Sequence, residues 1–143
     1  MNKPPVETLR EGRAILDPLM NEYGFFFVDG PSGRSSGGPY ASGRYVNTDR
    51  ELEIHYRFSL GLVTYHFGEI CIDHESYMRV VLGSKGGNKY PGYSDDPLEA
   101  FRDLAYDIEN FGTAFLEGDL KRFASYATAA GKWRKIPGIA RLP

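Results

Sequence analysis

The sequence predicts an α+β fold, an antiparallel sheet of about four or five strands packed against an N-terminal helix and C-terminal helices. Two observations carry this. Residues 51–60 alternate Glu51, Glu53, His55, Arg57 and Ser59 with Leu52, Ile54, Tyr56, Phe58 and Leu60, a period of two that marks a strand with one buried face. On either side lie segments whose apolar residues recur at helical spacing, the clearest being Leu98, Phe101, Leu104, Ala105, Ile108, Phe111 and Phe115.

The elements follow in order. Pro4 and Pro5 precede the first helix, where the first N–H groups need no intrahelical partner. Leu9, Ile15, Leu16, Leu19 and Met20 form its apolar face. Pro18 predicts a kink or restart, with Asp17 capping the second piece, and Gly24 ends it. Residues 25–28 read as a buried strand, and residues 30–39, built from Gly, Ser, Arg and Pro, read as a mobile loop. A second strand is expected over residues 40–46, with a turn at 47–49. Gly61-Leu62 suits a type II′ hairpin after the alternating strand. That turn would pair Phe58 with Tyr65 and Tyr56 with Phe67, and would place His55, Arg57, Thr64 and His66 on the opposite face. A short strand is expected at 70–73 and a helix at 74–82. A long loop follows at 83–95. Ser94, Asp95 and Asp96 before Pro97 then start a helix over residues 97–116. Gly118 breaks that helix, Asp119 caps another carrying Leu120, Phe123 and Tyr126, and Gly131 ends it. The expected core contains Leu52, Ile54, Tyr56, Phe58, Val63, Phe67, Phe101, Leu104 and Ile108.

A chain of 143 residues is the size of a single domain spanning residues 1–143. The net charge of −2 supplies no global attraction to nucleic acid or to a membrane surface, and no apolar run reaches the ~18 residues of a membrane span. One cysteine, Cys71, allows no disulfide within the chain. This fits a reducing compartment, and together with an N-terminus that carries no apolar leader it predicts a cytoplasmic protein. Beside Ile70 and Ile72, Cys71 reads as a small buried hydrophobe.

No motif specifies a chemistry. Residues 25–38, FFFVDGPSGRSSGG, resemble a strand entering a phosphate loop, but they lack the lysine and the following helix that phosphate binding requires. His55 and His66, with Glu53, could hold a transition metal on the polar sheet face; the competing reading is a solvated face of cross-strand polar pairs. Glu99, Asp103 and Asp107 recur every four residues, with Asp95 and Asp96 at the helix start. Such an acidic face suits steering of a basic protein partner. The last 24 residues hold six bases and no acid, with Trp133 between Lys132 and Arg134. Aromatics among bases can bind single-stranded nucleic acid, but docking of this tail on the acidic helix is the favoured reading.

Residues 90–119, YPGYSDDPLEAFRDLAYDIENFGTAFLEGD, make the chain resemble small uncharacterised bacterial α+β proteins in which an alternating hairpin leads to a DDP-type helix start and an FLxGD helix end. Some of these are similar to immunity proteins that neutralise a toxin made by neighbouring cells. The resemblance spans residues 51–119, and its motifs are mostly caps and core positions. It implies a non-catalytic protein-binding module, an immunity-type inhibitor that needs no cofactor; it carries over no binding residue, and the acidic helix face read above, Asp95, Asp96, Glu99, Asp103 and Asp107, is the surface expected to occlude a basic partner. The alternatives are a metal-dependent enzyme using His55, His66 and Glu53, and a nucleic-acid-binding accessory protein using the basic tail.

Overall fold

The computed structural model describes residues 3–83, 86–92 and 94–131. Helix α1 (Pro5–Glu22) leads into strands β1 (Phe26–Ser35), β2 (Gly38–Asn47), β3 (Arg50–Tyr56), β4 (Leu60–Phe67) and β5 (Ile70–Asp73). Helices α2 (His74–Leu82), α3 (Glu99–Phe111), α4 (Thr113–Leu116) and α5 (Leu120–Ala129) follow. The strands form one antiparallel sheet in chain order, β1-β2-β3-β4-β5. The chain is therefore α+β, as the two periodicities predict. Among the described residues no helix is long and apolar enough to cross a membrane.

One face of the sheet is apolar and covered by helices. Tyr45, Leu52, Ile54, Val63, Tyr65 and Ile72 are buried in one cluster with Leu16 and Met20 of α1, Phe101, Leu104 and Ile108 of α3, Phe115 of α4 and Phe123 of α5. Rings make much of this contact. Tyr65 lies 4.8 Å from Phe115, Phe25 5.3 Å from Phe115, and Phe67 5.6 Å from Phe123. Two glycines allow close approach. A Cβ on Gly12 would stand 2.5 Å from the Phe101 ring where α1 meets α3, and one on Gly43 would stand 2.1 Å from the Phe27 ring.

Five local expectations are corrected, three of them in the N-terminal half of the fold. Pro18 does not restart α1, which runs unbroken from Pro5 to Glu22. Asp17 caps nothing: it pairs with Arg13 and accepts the Tyr45 hydroxyl at 2.6 Å. Residues 30–39 are not a free loop but the outer part of the β1–β2 hairpin, with a bulge between Asp29 and Ser32. Tertiary bonds hold it there. Ser42 Oγ donates to the Pro31 carbonyl at 2.7 Å, and Arg57 donates to the Gly38 carbonyl and to Ser35 Oγ.

The β3–β4 register also differs from expectation. Tyr56 pairs with Leu60, Ile54 with Val63 and Leu52 with Tyr65, so the turn is Arg57-Phe58-Ser59. Gly61-Leu62 is a bulge opposite His55. The bulge lets both Leu60 and Val63 face the core, which strict alternation forbids. Phe58 is consequently expelled to the turn and is 78% exposed; the other expected core residues are all buried. Finally, Gly112 divides the expected helix over residues 97–116 into α3 and α4.

Candidate functional site

The acidic stripe is shorter than its spacing implies. Successive steps of four residues drift by about 40° around a helix of 3.6 residues per turn. Two such steps carry Asp107 off the Glu99–Asp103 line and onto the buried stripe of Leu104 and Ile108, where it is 0% exposed. Asp107 is therefore no surface residue. Asp95, Asp96, Glu99 and Asp103 stay at the surface end of α3. Asp96 accepts from the Leu98 N–H at 2.9 Å and so fastens the turn that opens the helix. Arg102 pairs with both Asp96 and Glu99, whereas Asp95 and Asp103 join none of the ion pairs among the described residues. Loss of solvation, together with the charge of Glu99, raises the Asp103 carboxyl above its ordinary pKa.

The buried Asp107 belongs to a polar network that no sequence spacing announces. Its carboxylate receives the Lys89 N–H at 2.8 Å, the Tyr90 N–H at 2.9 Å and the His74 Nε2–H at 2.9 Å. The Tyr65 hydroxyl lies 2.6 Å from His74 Nδ1. Burial first, then the charges of Tyr77 and Asp107, hold the Tyr65 hydroxyl well above its ordinary pKa. The Asp107 carboxylate only accepts, so His74 Nε2–H is the donor to it, and the Tyr65 hydroxyl completes the relay at Nδ1. The Tyr90 hydroxyl donates to the carbonyls of Leu60 and Gly61. Every donor in the set finds an acceptor, as buried polar groups require. His74 is 1% exposed and Asp107 0%, and a cleft of about 270 Å³ lined in part by His74 and Tyr90 borders the relay. The work of the relay is to tie β4, α2, α3 and the segment 86–92 together. The only sequence signal for it was an acid at a position where the helical stripe is apolar.

On the sheet face away from the helices, the structure brings Glu53, His55 and His66 together. His55 Nε2 lies 2.8 Å from one Glu53 oxygen and His66 Nε2 2.8 Å from the other. Each imidazole thus spends its nitrogen on a different oxygen of one carboxylate. Among the described residues no group of three or more His, Cys, Asp or Glu side chains is arranged to hold a metal ion. Partial burial works against ionisation of Glu53, but hydrogen bonds from His55 and His66 and their charges outweigh it and lower its pKa. With Ser42, Arg44 and Glu51 these residues line an open groove of about 490 Å³. Cys71 lies opposite His66 in the β4–β5 register and is half-buried rather than buried.

A second cleft, of about 400 Å³, separates the β3–β4 turn from the start of α3. Phe58, Arg57 and Tyr56 line one side, and Ser94, Asp95 and Pro97 the other. It sets the most exposed large apolar side chain among the described residues beside the first residue of the acidic group. Lys121 and Arg122 of the basic tail lie on α5, while residues 132–143, with Lys132, Trp133 and Arg134, lie outside the described residues, as does their expected docking.

Comparison with protein-family models, with curated proteins and with solved structures finds no match. What the chain does must therefore be argued from its own surfaces.

Proposed function

We propose that this chain is a non-catalytic protein-binding module whose contact surface centres on Phe58 and the acidic start of α3. The observation that supports this is the 78% exposed Phe58 ring, which lines one cleft together with Asp95. Protein interfaces combine a central aromatic anchor with a polar rim, and this surface has that composition. Asp95 lines the cleft with Lys3 and Arg57, and Asp96, Glu99 and Asp103, offset by Arg102, continue the acidic group along the start of α3, an arrangement that favours a basic protein partner and speeds its encounter. An inhibitor of a basic toxin, as the resemblance implies, is the specific form of this reading: the module occludes its partner and needs no cofactor.

A photoreactive phenylalanine analogue placed at position 58, in the cell that makes the protein, tests it. One discrete cross-linked polypeptide is expected. It should be lost when Asp95, Glu99 and Asp103 are all changed to Lys, and its formation with purified components should slow as salt rises. A chain that gives no cross-link, and that runs at the mass of a free chain when isolated gently, refutes the proposal.

A further inference from the structure

We propose a second interaction surface, the free edge of β1, and infer that its partner is a second copy of this chain. β1 pairs with β2 along one edge only, and no other described strand lies along its opposite edge. A strand edge with unpaired N–H and C=O groups is a template for another strand unless something blunts it. In β1 the bulge between Asp29 and Ser32, with Pro31, blunts the outer half. Residues 26–29 carry no Lys, Pro or bulge, and their only charge is Asp29.

The side chains of this segment are self-complementary. Phe27 faces the helices, packed on Tyr45 and Gly43 with Arg13 over its ring. Its neighbours Phe26 and Val28 therefore face the other way, and they are 69% and 38% exposed. Val46, opposite Phe26 on β2, extends the apolar strip inward. Antiparallel pairing of two copies about a two-fold axis at Phe27 sets Phe26 of each copy directly opposite Val28 of the other. Both exposed apolar side chains then gain an apolar cross-strand neighbour, the unit of sheet stabilisation. The two sheets become continuous, and the contact is isologous and closed, so it makes a dimer and not a fibre. The surface of the preceding proposal lies elsewhere, on the β3–β4 turn and α3, so the two proposals stand independently.

The test is sedimentation equilibrium of the full chain over a wide concentration range, with charge substitutions that read the register. Wild type is expected to pass from the mass of one chain to that of two. Phe26→Lys combined with Val28→Lys sets like charges opposite each other in both pairs, and should weaken the dimer at least ~10-fold. Phe26→Lys combined with Val28→Glu sets opposite charges across the same pairs and should recover most of that loss. Both sites are exposed, and unchanged circular dichroism confirms that the variants fold. A wild type that stays monomeric at every concentration overturns the inference. So does a dimer indifferent to the Lys pair, or one that the Lys/Glu pair disrupts equally.

Discussion

Replacing Asp107 by Asn tests the buried relay most directly. The substitution keeps the size of the side chain but exchanges one acceptor oxygen for an NH2 donor. Three donors converge on the native carboxylate, from His74 Nε2 and from the Lys89 and Tyr90 amides. The amide can accept from those on one side only, and on the other its own N–H faces another donor at a position that is 0% exposed. An unsatisfied buried group costs ~1–3 kcal/mol, more where a charge is involved. Asp107→Asn should therefore lower unfolding free energy by about 3 kcal/mol at neutral pH, a large part of the ~5–15 kcal/mol that holds a domain folded. Urea denaturation followed by circular dichroism measures this, provided the slope with denaturant is unchanged. Glu99→Gln is the control, since exposed substitutions stay within about 0.5 kcal/mol. Amide exchange adds a local readout, because Lys89 and Tyr90 should lose protection before the sheet does. If Asp107→Asn is as stable as Glu99→Gln, the relay does not hold segment 86–92 and the reasoning fails.

Other outcomes follow from the same contacts. Glu53 should titrate by carboxyl NMR below its ordinary value of 4.5; changing both His55 and His66 to Ala should return it towards that value, and no change would remove the bridge. Because the folded pKa is the lower one, the stability Glu53 contributes is present above 4.5 and lost as pH falls through the folded value. Asp103 has the opposite sign, since its raised carboxyl makes the folded state less stable as pH rises from 3.8 through the folded value; Asp103→Asn should therefore be neutral or slightly stabilising at neutral pH in thermal melts. Gly12→Ala forces a Cβ to 2.5 Å from the buried Phe101 ring, an overpacking cost of ~1–3 kcal/mol that should outweigh the ~1 kcal/mol gained in helix propensity. A stabilised Gly12→Ala protein would show that α1 and α3 can separate freely.

Local periodicity and capping chemistry were legible in the chain itself. The alternation from Leu52 to Tyr56 had to face one side outward whatever it paired with. Asp119 had to cap a helix once Gly118 stopped the one before it, and its carboxylate does accept from the Arg122 N–H. The convergence of Glu53, His55 and His66 was also readable, because strand parity fixes which side chains share a face. Register was not readable. The Gly61-Leu62 turn and the Arg57-Phe58-Ser59 turn are both locally acceptable. What separates them is that the bulged pairing seats Leu60, Val63 and Tyr65 together against the helices. That choice put Phe58 outside, and with it the proposed contact surface. Asp107 makes the same point from the interior. By composition it was one more acid on a helix, but a drift of about 80° over eight residues turned it towards His74 and two backbone amides distant in sequence. A sequence sets which side chains recur on a face, because that depends on bond geometry a few residues long. Which face meets which partner depends on packing the whole sheet at once, and only the tertiary structure decides it.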